Sequence, residues 1–199
     1  MNYDTQSLDR STDMTPVTGT VDLAIPVSEL WECFTHANHW PRWNPCMFWV
    51  QNQNLILGQQ LVWAFAPIRW WYLYLLPGVA KIVEVEPNRK VTWEVTALPG
   101  FYARHTYFVE DLGKDCSRFG SWEKAMGPTF RLFQWFWIAH FVFVKDQSLA
   151  GAQELEAHYQ RSGKLESHHL RPKNYWRSLV FTLILILIIV ALLSILFPR

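Results

Sequence analysis

Apolar residues follow three rhythms along this chain, and each predicts a different kind of element. The first is alternation. Residues 17–25 (VTGTVDLAI) place the larger apolar side chains on every second position, the period of a strand with one buried face. Strands are likewise predicted over residues 47–53, 60–66, 79–86, 90–96, 102–110 and 117–126. Glu86-Pro-Asn-Arg89 and Leu98-Pro-Gly100 are turn signals between them, and Asp111–Asp115 centres a last hairpin. The second rhythm is helical. Pro26, with Ser28 and Glu29, suits the start of a short helix ending near Thr35, in which Trp31 and Phe34 share a face. Residues 36–45 (HANHWPRWNP) carry two prolines and predict a helical turn and loop. After Gly127-Pro128, one long helix is predicted over residues 129–158.

The third rhythm is no alternation at all. Residues 178–197 (SLVFTLILILIIVALLSILF) hold no charge, no glycine and no proline. At 1.5 Å per residue, roughly 20 residues span about 30 Å, the hydrocarbon thickness of a bilayer. The expectation is a single transmembrane helix, since backbone groups in lipid must be satisfied within the segment. Two shorter stretches are also apolar on nearly every side. Residues 67–77 (PIRWWYLYLLP) join two strands, where water-exposed connections rarely carry so many large apolar groups. Three readings stand: a lid, an interfacial dip with Trp70, Trp71, Tyr72 and Tyr74 at headgroup depth, or packing back on the core. Residues 130–144 (FRLFQWFWIAHFVFV) have Arg131, Gln134 and His140 as their only polar members. A helix apolar all round needs a second partner beyond the sheet: the aromatic connection, a membrane surface or another subunit.

The order of elements is one strand, two short helices, six strands and one long helix. It predicts an α+β domain in which a curved antiparallel sheet of about seven strands grips the long helix. The expected organisation is a disordered polar N-terminus over residues 1–15, one domain over 16–160, a basic linker over 161–177 and the anchor over 178–197. Fully extended, the 17-residue linker reaches at most about 60 Å.

Charge and composition narrow the function. A net charge of +1 gives no electrostatic case for nucleic acid. Cys33, Cys46 and Cys116 show no metal-ligand spacing and fit small apolar roles in a reducing compartment. His36 and His39 do not make a metal site, and no nucleophile elbow, phosphate loop or HExxH motif is present. No metal and no cofactor are therefore expected. The N-terminus lacks the apolar run of a signal peptide. Arg161, Lys164, Arg171, Lys173 and Arg177 precede the anchor and only Arg199 follows it, which places the domain on the cytoplasmic side. The same cations, with His168 and His169, suit anionic headgroups.

Twelve Trp, 13 Phe and 7 Tyr suit the rigid walls of an apolar pocket, or else simply fill the interior. Alternation sorts the faces. Leu61, Trp63 and Phe65 share one, and Val91, Trp93 and Val95 share another; these apolar sets are the better inward candidates. His105, Tyr107 and Val109 oppose Arg104, Thr106 and Phe108, while Phe119, Ser121, Glu123 and Ala125 oppose Arg118, Trp122, Lys124 and Met126. Parity leaves the inward set of these last two strands open. If inward, His105 and Glu123 would orient a ligand's polar group or form an acid/base pair. Alternatively, Glu123 pairs with Arg104 or Lys124 and His105 is a satisfied, half-buried residue.

Over residues 17–160 the chain resembles the START-like superfamily of polyketide cyclase/dehydrase and lipid-transfer domains. The carriers are the opening strand with Pro26-Val-Ser-Glu-Leu-Trp31, then Trp40-Pro-Arg-Trp-Asn-Pro45 and Gly58 before QQLVWAF. Ile82-Val-Glu-Val-Glu-Pro-Asn-Arg-Lys-Val-Thr-Trp93, the strand holding His105 and Phe108, and Ser121-Trp-Glu123 up to Gly127 complete them. The resemblance implies a helix-grip fold with a cavity between sheet and long helix for an apolar small molecule such as a lipid, isoprenoid, quinone or polyketide. It does not fix function, because this fold hosts binding proteins and enzymes alike. The candidate ligand contacts are Trp43, Trp63, Phe65, Trp93, His105, Tyr107, Glu123 and Trp137. No catalytic residue is assigned. The leading expectation is membrane-anchored binding or transfer of a hydrophobic molecule drawn from membrane lipids. The alternatives are a cyclase/dehydrase-type enzyme on a membrane-soluble substrate, or a scaffold for a membrane protein partner.

Overall fold

The computed structural model describes residues 15–65, 76–96 and 99–165, together with 180, 182–188 and 190. Seven strands run in the order β1-β7-β6-β5-β4-β3-β2, every neighbour antiparallel. They are β1 (Val17–Leu23), β2 (Met47–Val50), β3 (Gln60–Phe65), β4 (Leu76–Glu86), β5 (Lys90–Val95), β6 (Tyr102–Gly113) and β7 (Cys116–Met126). The predicted meander of six strands is present, and β1 closes onto the last of them. The curled sheet wraps one long helix, as an α+β helix-grip arrangement requires.

Between β1 and β2 lie α1 (Val27–Thr35), a 3-10 turn over Ala37–His39 and α2 (Trp40–Trp43). Helix α1 starts one residue before Ser28, directly after Pro26, and no side chain caps it. Leu30, Cys33 and Phe34 face the sheet and are buried, as their helical spacing directs. Trp40, Trp43, Phe34, Tyr107 and Phe119 are almost wholly enclosed and form the densest part of the core. None of the three cysteines forms a disulfide, and Cys33 and Cys46 are buried.

The single helix expected over 129–158 is instead two. Helix α3 (Pro128–Leu132) ends at Phe133, whose φ of −116° leaves helical geometry, and α4 (Gln134–Ser162) restarts there. No proline or glycine marks the break. Its cause is tertiary: Phe130 on α3 is completely buried with Phe101, Ala103, Ala125 and Phe141, so the chain must bend before α4 can lie across the sheet. Gly127 starts this corner at φ +103°, where an added Cβ would sit 2.4 Å from the Gly100 carbonyl oxygen. Helix α4 packs along β1 and β7, with Gly151 against α2. After Gly163 the chain turns back, and the Leu165 amide donates to Glu29 of α1.

Among the described residues no helix is long and apolar enough to cross a membrane. Most of the predicted anchor over 178–197 lies outside the described residues. So do residues 1–14 of the predicted disordered tail, most of the linker, and Trp70, Trp71, Tyr72 and Tyr74. Residues 182–188 are helical, and the side chains at 183–188 and 190 are exposed.

Candidate functional site

A cavity of about 430 Å³ lies between the sheet and the first turns of α4. That volume is within the range of small-molecule sites. Trp63 and Phe65 of β3, residues 76–79 of β4, Trp93 and Val95 of β5, Ala103 and His105 of β6 and Glu123 of β7 make the floor. Trp137, His140, Phe141 and Val144 of α4 make the roof, and Phe101 and Met47 lie at the sides. Register explains why these residues meet. Phe65 pairs with Leu76, Val95 with Ala103 and Tyr102 with Met126, so these strand ends and the α3–α4 corner gather at one end of the sheet. Tyr107, Phe119 and Leu61 lie deeper, where α1 and α2 fill the space.

The two apolar sets expected to face inward do so. His105 and Glu123 also face inward, and they are direct partners across β6 and β7. Imidazole Nδ1 and carboxylate Oε2 are 3.2 Å apart, with side chains 5 % and 10 % exposed. An ionised carboxylate only accepts, so Nδ1 carries the proton. A neutral imidazole then accepts the Ser121 hydroxyl proton at Nε2, across 3.1 Å. Trp93 stacks on the imidazole at 4.5 Å between centroids, and Tyr107 meets it edge-on at 4.7 Å. Two aromatic contacts and two polar contacts thus fix the ring. The expected alternative pairing of Glu123 with Arg104 is absent: Arg104 binds Glu94 on the outer face, with Nε 3.0 Å from Oε1. Nor is His105 half-buried, being 4 % exposed. With both ring nitrogens engaged by Glu123 and Ser121, what the pair offers a ligand is the remaining lone pairs of the Glu123 carboxylate, which can accept from a ligand's hydroxyl.

Six of the eight candidate contacts line the cavity: Trp63, Phe65, Trp93, His105, Glu123 and Trp137. Trp43 and Tyr107 do not. Trp43 packs edge-on to Phe119 and beneath Gly151. Tyr107 points inward but belongs to a buried polar cluster. Its hydroxyl lies 2.7 Å from Ser148 Oγ and receives a hydrogen bond from Asn44 Nδ2 at 3.2 Å. Burial pushes this phenol far above its ordinary range, so it stays protonated. Alternation reveals which face a residue takes, but not how far along the strand the helices fill the interior.

His140 is the one polar cavity residue that sequence reasoning passed over as a site. It is 7 % exposed and sits 5.0 Å from the Phe65 ring, between centroids. Its signal was its isolation as the only ionisable group among residues 132–144. Gly78 is one of the apolar lining residues also missed. An added Cβ there would fall 2.3 Å from the Trp63 indole, which lies flat across the glycine and forms the cavity wall. No group of acidic, histidine and cysteine residues able to hold a metal occurs among the described residues.

Known proteins share this fold. No curated protein is detectably similar in sequence. The ZhuI aromatase/cyclase from Streptomyces sp. R1128 superposes with a TM-score of 0.63 at 11 % identity, over 75 % of this chain and 97 % of that one. A START superfamily protein from Mycobacterium smegmatis gives 0.51 at 14 %, over 73 % and 97 %. The di-domain aromatase/cyclase BexL of the BE-7585A biosynthetic pathway gives 0.55 at 12 %, over 75 % of this chain; the match spans about half, 48 %, of that longer one. At these identities the likeness shows the fold alone. Residues 14–159, most of the chain, match the sequence model of polyketide cyclase/dehydrase and lipid transport proteins, and the chain belongs to that family.

Proposed function

We propose that this domain binds a hydrophobic small molecule carrying one polar group, held at a membrane by the apolar stretch over 178–197. The observation that carries the proposal is the cavity: about 430 Å³, walled by Trp63, Phe65, Trp93, Trp137 and Phe141, with a buried imidazole–carboxylate pair on its floor. Affinity comes from apolar area removed from water, at about 25 cal/mol per Å². Glu123, oriented by His105, selects a hydroxyl or other donor, because a ligand without one leaves the carboxylate's remaining lone pairs unfilled in an apolar space. The family's description as lipid transport proteins supports this reading. So does the segment over 66–75, which departs from Phe65 and returns at Leu76, both cavity residues. Trp70, Trp71, Tyr72 and Tyr74 are residue types suited to the headgroup layer. A scaffold with a filled interior fits the cavity less well.

The test is organic extraction of the full chain purified from its membrane, followed by mass spectrometry. A single lipophilic class bearing one polar group is expected at near-stoichiometric yield. An empty protein, or random bulk phospholipid, contradicts the proposal.

One observation favours a second reading, catalysis of the cyclase/dehydrase type. His105 and Glu123 both border the same cavity, as the two members of an acid/base pair must. Catalysis requires His105→Gln to accumulate a bound species different from that in the unaltered protein. Binding alone predicts the same species in smaller amount.

A further inference from the structure

We propose that the corner between α3 and α4 is a docking element that seats the cavity mouth in the interfacial layer of a lipid bilayer; this rests on the membrane-tethered reading above. Leu132, Phe133 and Trp135 are 72 %, 47 % and 75 % exposed. The exposed ridge continues along α4 through Ala139 and Val142 at helical spacing, and only then turns to Asp146 and Gln153. Uncharged for its first turns and polar after them, α4 has the form of a helix entering an apolar layer end first.

Three observations select a bilayer as the occupant. Residues 127–144 contain no carboxylate and one permanent cation, Arg131, so no group on the corner is repelled by anionic headgroups. Exposed Leu132, Phe133 and Trp135 are the residue types that interfacial segments bury about 5–10 Å into the headgroup boundary. The same chain presents a helical stretch whose side chains at 183–188 and 190 are all aliphatic and exposed, a second surface suited to lipid. The tether also reaches. Helix α4, with 29 residues, is about 44 Å long at 1.5 Å per residue. The chain from Leu165 to residue 180 extends to about 50 Å. One bilayer can therefore hold both the apolar stretch and the far end of α4. Within two turns of Phe133, Trp137, His140 and Phe141 line the cavity. Docking at this corner opens the cavity toward acyl chains instead of water.

The test uses the full chain in phosphatidylcholine vesicles containing a minority of phosphatidylglycerol. Cys116→Ser leaves only the buried Cys33 and Cys46, and one nitroxide is attached through Trp135→Cys, Leu132→Cys or, as reference, Ala150→Cys. Power-saturation spectroscopy compares collision with oxygen, which concentrates in lipid, against a water-soluble nickel chelate. The oxygen-to-nickel ratio is expected to be several-fold higher at positions 132 and 135 than at 150. Water-like ratios at 132 and 135 in protein that floats with vesicles overturn the docking and leave the tether standing. Protection from both reagents means that protein covers the corner, and also overturns it. A chain that does not float with vesicles overturns the docking together with the membrane reading.

Discussion

Replacing His105 by Phe separates the two halves of the buried pair. Phenylalanine keeps a flat ring to stack on Trp93, so most of the packing survives. Glu123 survives too, but its partner at 3.2 Å is gone and its side chain is only 10 % exposed. Leaving a buried carboxylate without its hydrogen-bond partner costs about 3 kcal/mol, most of it the desolvation of the group left behind. For a domain of this size each kcal/mol moves the midpoint by about 3 °C, so a fall of roughly 10 °C is expected. The double change His105→Phe/Glu123→Leu removes both polar groups and fits the apolar surroundings. It should recover to within about 1–2 kcal/mol of the unaltered protein, because apolar replacement of a whole buried pair is near neutral. Thermal unfolding in detergent, followed by near-ultraviolet circular dichroism, reads both. A double variant as unstable as the single one would refute the reasoning, since the two groups would then not share one desolvated site.

Three further outcomes follow from the packing and the charges. Gly151→Ala gains at most about 1 kcal/mol of helix propensity, yet its Cβ would stand 2.4 Å from the Trp43 carbonyl oxygen. Backbone cannot swing aside, so a net loss of about 1–3 kcal/mol is expected by denaturant titration. Tyr107→Phe leaves Asn44 Nδ2 and Ser148 Oγ without their shared hydroxyl, and should cost about 1–3 kcal/mol in the same assay while sparing ligand content, because Tyr107 lies outside the cavity. Asp22 is held below its ordinary value by the Arg118 fork that ties β1 to β7. Its stabilisation is present above the unfolded carboxyl value and lost as pH falls through the lowered one. Asp22→Asn should therefore flatten the acid limb of a midpoint-against-pH profile.

Much of this fold was legible because strands and amphipathic helices announce themselves by period. Leu61, Trp63 and Phe65 alternate, and their face is buried. The pairing of His105 with Glu123 was not legible, because it depends on register. Register is set by the two-residue loop of Lys114 and Asp115, with φ of 54° and 60°, which Asn-Gly would have signalled, together with the bulge between Asp111 and Gly113 that shifts the pairing by one residue. A hairpin centred on Gly113 would set His105 opposite Ser121 instead. The break at Phe133 was hidden for another reason: it follows from burial of Phe130 beneath the corner, a tertiary demand with no local mark. Trp43 and Tyr107 were misplaced because a core filled by α1 and α2 and a cavity roofed by α4 share one face of the sheet.

The central claim is that the space beneath α4 holds a ligand, and Ala103→Trp tests it most directly. Ala103 is 2 % exposed and lines the cavity between Val95 and Ala125, so an indole there occupies the space a ligand would need. Ligand recovered per protein, by extraction and mass spectrometry, is predicted to fall from near-stoichiometric to near zero while α4 and the sheet remain folded by circular dichroism. The same ligand at the same yield from the folded variant would contradict the account.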